Sequence, residues 1–354
     1  MRITPRPWVA ALEPYVPGRP APSDAGSLAS NEPGLVASAV VATAVGEALR
    51  RVHRYPDPLA TVLRERLAGL HDVEPDRILV GNGSDELILL LVMAYAAAGG
   101  SVVVADPSYR LHETTARSLG AGVRRVPLAG WAHDVAAMTA VPADLCLVAN
   151  PHNPAGTAVP ARAIEAALPA ARAGLVVVDE AYVEFADDPA ETSAVRLAAE
   201  GRLVVLRTFS KAYGLAGMRV GYLVGPPEVV TDLRRIRAPF SVNALAQVAA
   251  TAALADRAHL DRTVAWVRAG RRRLGELFER AGYRTIPSQA NFVLVLAEDE
   301  AGLIERLLAG GVSVRPGSAL GVPGAVRVTV PGEEGFALLE RALMGPGGRA
   351  AGAE

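Results

Sequence analysis

Lys211 is the only lysine in the chain, although 36 positions hold Lys or Arg. A guanidinium stays protonated and forms no imine with an aldehyde. A lysine amine can be desolvated, lose its proton and act as a nucleophile. The residues around Lys211 suit an anionic partner. Thr208 and Ser210 offer hydroxyls and Arg219 a guanidinium, all within the run Arg207-Thr208-Phe209-Ser210-Lys211 and its sequel to Gly217-Met218-Arg219. Hydroxyls and a guanidinium beside an amine fit a phosphate-bearing aldehyde.

Other reactive residue types stand at the ends of short apolar runs. Leu175-Val176-Val177-Val178 ends in Asp179-Glu180-Ala181-Tyr182. A carboxylate at the end of a buried strand requires a partner, and a protonated ring nitrogen would serve. Leu145 to Ala149 leads into Asn150-Pro151-His152-Asn153-Pro154-Ala155-Gly156. Two Asn-Pro pairs make that loop rigid and non-helical, so an amide there can donate to a phenolic oxygen. His152 reads as a loop histidine pointing away. Asp106-Pro107-Ser108-Tyr109 supplies a ring that can stack on a flat cofactor. Gly81-Asn82-Gly83-Ser84-Asp85-Glu86 turns from an apolar run into a helical pattern, and the free N–H groups of its first turn suit a phosphate. It completes neither a Walker loop nor a dinucleotide fingerprint. No second histidine stands at a metal-ligand spacing, so no metal is assigned.

These residues need elements to hold them. Strand candidates at Ile78–Val80, Ser101–Ala105, Val123–Val126, Leu145–Ala149, Leu175–Val178, Leu203–Leu206 and Val220–Val224 alternate with helical patterns such as Glu86–Ala98, Tyr109–Leu119 and Ala161–Ala171. That alternation predicts an α/β fold with a mostly parallel, doubly wound sheet, whose ligands bind outside the carboxyl ends of the strands. After Pro239 the pattern changes. Helices about Val242–Leu254 and Arg257–Ala281 precede strands near Phe292–Leu296, Val312–Arg315 and Val326–Val330, with a helix between the first two and another after the third. This predicts a smaller α+β domain. The expected organisation is an N-terminal arm over 1–45 packing with the small domain or a partner subunit, a large domain over 46–240, a small domain over 241–344 and a disordered tail over 345–354.

Bulk properties exclude several classes. The chain has 354 residues, 51% of them hydrophobic, which is ample for a large core. Its net charge of −1, with both signs interspersed, suggests neither a nucleic-acid stripe nor a membrane patch. The start Met1-Arg2-Ile3-Thr4-Pro5 has no apolar signal core, and the run from Leu87 to Ala98 is too short to span a bilayer. Cys146, the sole cysteine, sits in an apolar run and reads as a buried inert thiol. A cytoplasmic soluble protein is expected.

The pieces combine into one constellation: an amine, a carboxylate for a ring nitrogen, Asn and Tyr for a ring hydroxyl, an aromatic stacker and a phosphate cup. Those are the requirements of pyridoxal 5′-phosphate. Over nearly its whole length the chain resembles the fold-type I, class I/II aminotransferases, and within them it is most similar to the histidinol-phosphate aminotransferase family. The matching strings are Gly81-Asn-Gly-Ser-Asp-Glu86, Asn150-Pro-His-Asn-Pro154, Asp179-Glu-Ala-Tyr182, Ser210-Lys211, Gly217-Met-Arg219-Val-Gly221 and Ser288-Gln-Ala-Asn-Phe292.

The resemblance implies that Lys211 carries the internal aldimine and shuttles a proton. It implies that Asp179 pairs with the pyridinium nitrogen, and that Asn153 and Tyr182 bind the ring hydroxyl. Tyr109 then stacks on the ring, while Gly83, Ser84, Asp85, Thr208, Ser210 and Arg219 surround the phosphate. Tyr55, within Arg54-Tyr55-Pro56-Asp57, would reach the cofactor of the partner subunit in a homodimer with shared sites. Arg327 lies in the alternating run Val326-Arg327-Val328-Thr329-Val330, whose pleat separates it from the valines. It is placed to clamp a substrate carboxylate. Tyr15 and Arg315 stand where that family holds a substrate phosphate. The arm departs from the family pattern: Asn31-Glu32-Pro33-Gly34 is short and lacks an aromatic, and Ala155 stands where Thr is usual. Asn31 therefore lines the substrate side of an altered pocket.

The expected activity is transfer of an amino group between histidinol phosphate, or an aromatic amino acid, and 2-oxoglutarate. A decarboxylase of a phosphorylated amino acid is the alternative with the same cofactor. A non-catalytic nucleotide-binding protein on a doubly wound sheet is the alternative from a different class.

Overall fold

The computed structural model describes residues 3–345. Residues 346–354, most of the expected tail, lie outside them. Seven strands form the first sheet: β1 (Ile78–Gly81), β2 (Ser101–Asp106), β3 (Gly122–Pro127), β4 (Ala143–Ala149), β5 (Ala173–Asp179), β6 (Val204–Thr208) and β7 (Gly221–Val224). Their spatial order is β1-β7-β6-β5-β4-β2-β3. Only β7 runs against its neighbours, β6 and β1. The carboxyl ends of the other six strands therefore meet at one edge.

The strands alternate between two apolar layers, as a sheet covered on both faces requires. Val103, Cys146, Val148, Val176, Val178 and Val205 face one layer. Val102, Val104, Leu145, Leu147, Val177, Val204 and Leu206 face the other. The helix Gly83–Tyr95 covers the second layer with Leu87, Ile88 and Leu91. The helix Ala244–Ala255 covers the first with Ala246, Ala249 and Ala250, whose small side chains allow close approach. Cys146 is fully buried and its thiol is pushed up to about 12 by burial, so it is inert as a nucleophile.

A second, antiparallel sheet follows: β8 (Arg284–Ile286), β9 (Phe292–Leu296), β10 (Arg315–Pro316) and β11 (Ala325–Thr329), in the order β10-β11-β9-β8. Its core holds Val293, Val295, Val326 and Val328 against Leu274, Phe278, Leu303 and Leu339. The long helix Arg257–Arg280, with Glu300–Ala309 and Glu333–Met344, supplies that cover.

Three local differences from the sequence reading have physical causes. The strand expected over Val312–Arg315 shrinks to Arg315–Pro316, because the N-terminal arm takes the hydrogen bonds of Ser313. Leu28 N–H donates to Ser313 O at 2.8 Å, and Ser313 N–H donates to Gly26 O at 2.8 Å. β8 has no alternating apolar signature and exists through its pairing with β9. The helix expected over Ala161–Ala171 becomes Ala161–Ala167 followed by a 3-10 turn, since Pro169 has no N–H to continue it.

Candidate active site

The carboxyl edge of the first sheet, the arm and the β10–β11 end of the second sheet enclose a cavity of about 940 Å³. Lys211 lies in the loop after β6, and its Nζ donates to the backbone carbonyls of Ser30 and Asn31, each at 3.1 Å. Burial, and then the Arg327 guanidinium, pull the amine from its ordinary value down to about 8. An amine so placed is a usable nucleophile and proton carrier near neutral pH.

Asp179 closes β5 and is buried. Its Oδ1 accepts from Ala181 N–H at 3.2 Å and its Oδ2 lies 3.2 Å from His112 Nε2. Tyr182 sits beside it. The Tyr182 hydroxyl accepts from Asn31 Nδ2 at 2.9 Å and from Asn153 Nδ2 at 3.4 Å. Burial raises the Tyr182 phenol above its ordinary value, against the pull of Arg327. The amide of Asn153 is oriented from behind, because its Oδ1 accepts from Arg327 Nη1 at 2.7 Å.

A polar cup forms where β6 and the helix Gly83–Tyr95 meet. Thr208 Oγ1 and Ser210 Oγ are 3.0 Å apart, and Arg219 Nη1 donates to Ser210 Oγ at 3.3 Å. Arg219 is held at positive φ, 56°, and its Nη2 pairs with Asp85 at 3.0 Å. The Asp85 carboxylate thus orients the guanidinium, and burial raises it above its ordinary range. Gly83 keeps the cup open: a Cβ there would approach Arg219 Nη2 to 2.7 Å. Ser84 lines the same cup at the helix start. Tyr109 lines the adjoining wall, its hydroxyl donating to Asp85 Oδ1 at 3.4 Å and its ring meeting His112 edge-on at 5.3 Å.

On the opposite side, Arg315 and Arg327 face each other across the β10–β11 ladder. Arg327 is buried, and its Nη2 donates to Ala29 O at 2.7 Å while its Nε has no partner. Arg315 lies over the Tyr15 ring at 5.4 Å and donates to Val16 O at 3.2 Å. Among the described residues neither arginine has a carboxylate partner.

A model of the family "Aminotransferase class I and II" matches residues 24–336. The histidinol-phosphate aminotransferase of Symbiobacterium thermophilum is 42% identical over 92% of this chain and 93% of its own length. That of Moorella thermoacetica is 39% identical over 92% and 88%. Among solved structures, the histidinol-phosphate aminotransferase from Sinorhizobium meliloti in complex with pyridoxal-5′-phosphate superposes with a TM-score of 0.85. It is 29% identical and covers 95% of each chain. The chain belongs to the class I and II aminotransferases.

This aminotransferase brings fourteen of the residues singled out in its sequence to one cavity wall: Tyr15, Asn31, Ser84, Asp85, Tyr109, Asn153, Asp179, Tyr182, Thr208, Ser210, Lys211, Arg219, Arg315 and Arg327. Gly83 lies just behind the cup. Tyr55 is elsewhere. It is 83% exposed and stacks on Phe240 with ring centroids 4.6 Å apart.

Three contributors carry no role in the sequence analysis: His112, and Asn291 and Thr329, which stand there only within a matching string and an alternating run. His112 touches Asp179, and its position three residues after Tyr109, on one helix face, was the available signal. Asn291 donates to Asn31 O at 3.0 Å, and Thr329 Oγ1 accepts from Asn31 N–H at 3.0 Å. Both contacts join segments about 260 residues or more apart in the chain, so local pattern places the residues but not their partner.

Proposed function

We propose that this aminotransferase binds pyridoxal 5′-phosphate with its aldehyde at Lys211 and transfers the amino group of histidinol phosphate to 2-oxoglutarate. The residues present fit the cofactor. The cup of Ser84, Thr208, Ser210 and Arg219, kept open by Gly83, suits its phosphate. Asp179 suits a protonated ring nitrogen, with His112 fixing the carboxylate from behind. Tyr182 and Asn153 suit the ring hydroxyl, and Tyr109 the ring face. When bound, the cofactor supplies an electron sink for the pair released at the substrate carbon.

The chain's own groups do the rest. Lys211 Nζ, pulled down to about 8, takes a proton and returns it. The Asp179 carboxylate keeps positive charge on the ring nitrogen. Tyr182, Asn31 and Asn153 form one hydrogen-bonded row, and Asn31 O also accepts from the Lys211 amine.

The observation that carries the substrate reading is the pair Arg315 and Arg327, opposed across the ladder with Tyr15 beside them and no carboxylate partner among the described residues. Two guanidiniums side by side repel, and burial already disfavours the charge on Arg327. A dianionic phosphate relieves both, as does a dicarboxylate in the second half-reaction. An aromatic amino acid brings one carboxylate and satisfies one arginine.

The test is a half-reaction screen, in which the yellow holoenzyme is mixed with histidinol phosphate, phenylalanine or tyrosine and the visible band is followed. Histidinol phosphate is expected to convert it most efficiently. Arg315→Gln should cost that substrate about 10²-fold in kcat/KM, the value of one charge-assisted pair. The same change should leave phenylalanine within about threefold. Equal losses for both substrates would overturn the assignment.

The same reading extends to assembly. Tyr55 is 83% exposed although its ring is large and apolar, which suits cover by a second copy of the chain. We place Tyr55 toward the partner's cofactor in a cytoplasmic homodimer. The chain then divides into the arm over 1–45, the cofactor-binding part over 46–240 and the small part over 241–344. No described helix is long and apolar enough to cross a membrane.

A further inference from the structure

His152 sits at the centre of the loop 150–156 yet has no exposed surface. Its ring makes two hydrogen bonds. Nε2 lies 3.0 Å from Pro107 O, and the Ala155 N–H lies 3.3 Å from Nδ1. A carbonyl only accepts and an amide N–H only donates. The imidazole must therefore be neutral, with its proton on Nε2 and a lone pair on Nδ1. Burial holds His152 well below its ordinary value, in agreement with that state.

The ring is also clamped. His133 meets it edge-on at 4.7 Å and is itself anchored to Ala149 O at 2.8 Å, at the end of β4. The backbone of His152 closes the loop on itself, through His152 N–H to Thr157 O and Gly156 N–H to His152 O, each at 2.7 Å.

Each bond ends next to a residue of the site. Ala155 is two residues from Asn153, whose amide faces Tyr182. Pro107 is two residues from Tyr109. These two loops follow different strands, β4 and β2, and a ring held between them sets the distance between an in-plane hydrogen-bond donor and a stacking ring.

We propose that His152 is a positioning residue whose neutral imidazole ties the Asn153 loop to the Tyr109 turn and so sets the width of the slot for a flat cofactor. The proposal rests on the pyridoxal-phosphate reading for its consequence, but not for the tie itself.

Two substitutions divide the tie. His152→Asn places an amide oxygen near the position of Nδ1, keeping the acceptor for Ala155 and losing Pro107. His152→Gln places an amide nitrogen near the position of Nε2, keeping Pro107 and losing the acceptor. In cofactor-free protein, exchange of the Ala155 amide should stay slow in H152N and quicken about fivefold in H152Q, the worth of one hydrogen bond.

Titration with pyridoxal phosphate should show about fivefold weaker binding in both variants. The pH midpoint of the bound cofactor's visible band should move in H152Q, through Asn153, and stay put in H152N. Wild-type affinity and midpoint in both variants, whatever happens to Tm, would reduce His152 to a packing residue and overturn the proposal. So would unchanged Ala155 exchange in H152Q. A wild-type protein that remains colourless with pyridoxal phosphate sinks the cofactor reading instead, and the exchange measurement still decides the tie.

Discussion

The titration of Lys211 can be measured without a cofactor, because no other lysine competes for an amine reagent. With the amine near 8, about a quarter of it is free at about pH 7.5, against about one part in a thousand at the ordinary 10.5. A gain of about 250-fold in free amine is what burial of this side chain, with Arg327 beside it, delivers to the site. The assay is competitive acylation of cofactor-free protein over a pH series, read by mass spectrometry on the peptide containing Lys211. Labelling should rise with pH and reach half its plateau near pH 8. Arg327→Gln removes the guanidinium that helps depress the amine, so its midpoint should move up. Glu32→Gln removes a carboxylate that favours the ammonium, so its midpoint should move down. The two variants shift in opposite directions, which a general loosening of the loop would not produce. A wild-type midpoint at about 10 or above, or shifts of the same sign, would refute the reasoning.

Asp179→Asn should fold normally by near-ultraviolet circular dichroism and lose about 10²-fold or more in turnover, because an amide cannot hold charge on a ring nitrogen. Gly83→Ala places a Cβ 2.7 Å from Arg219 Nη2 at a backbone φ of +77°. It should weaken pyridoxal-phosphate binding about tenfold in a spectral titration, since Arg219 must leave the cup. Arg207→Ala strips the counter-charge from two glutamates beneath the site, Glu180 and Glu184, at 2.7 and 3.0 Å. Urea unfolding should show a loss of about 3–5 kcal/mol. Burial already raises both carboxyls against the pull of Arg207, so without the guanidinium the folded variant takes up a proton more readily as pH falls. The loss should therefore be larger at about pH 8 than at about pH 5, and a pH-independent loss would show that neither carboxyl protonates.

Much of the large sheet is readable from local pattern. Runs such as Ile78–Val80 and Leu175–Val178 are β-branched, short and bounded by turn residues, and each lies within an observed strand. β8 is not readable because its three residues, Arg284-Thr285-Ile286, are too few to show a pattern, and the Ser313 bridge is not because its partner, Ser27, is far away in sequence. Within the site, Lys211, Asp179 and Asn153 announced themselves as unusual chemistry at strand ends. His112, Asn291 and Thr329 did not, since each acts on another side chain or on a distant backbone group rather than standing out by type. His152 reads as a loop histidine pointing away, and it does lie in the loop and off the cavity lining. What no local pattern shows is the approach of the Pro107 turn, which makes it a buried tie.

The amino acids alone determined the parts: one amine, strand-end carboxylate and amides, a glycine-opened helix start, and the alternation that brings strand ends to one edge. Covalent chemistry and backbone periodicity are local, so they survive in a linear text. Tertiary structure decided which groups touch. It pulled the amine down by burial beside Arg327, folded the shortened Asn31 segment over Tyr182 and Lys211, and set Arg315 opposite Arg327. Desolvation and Coulomb coupling depend on distance through space, and a sequence holds no distances between residues that meet only after folding.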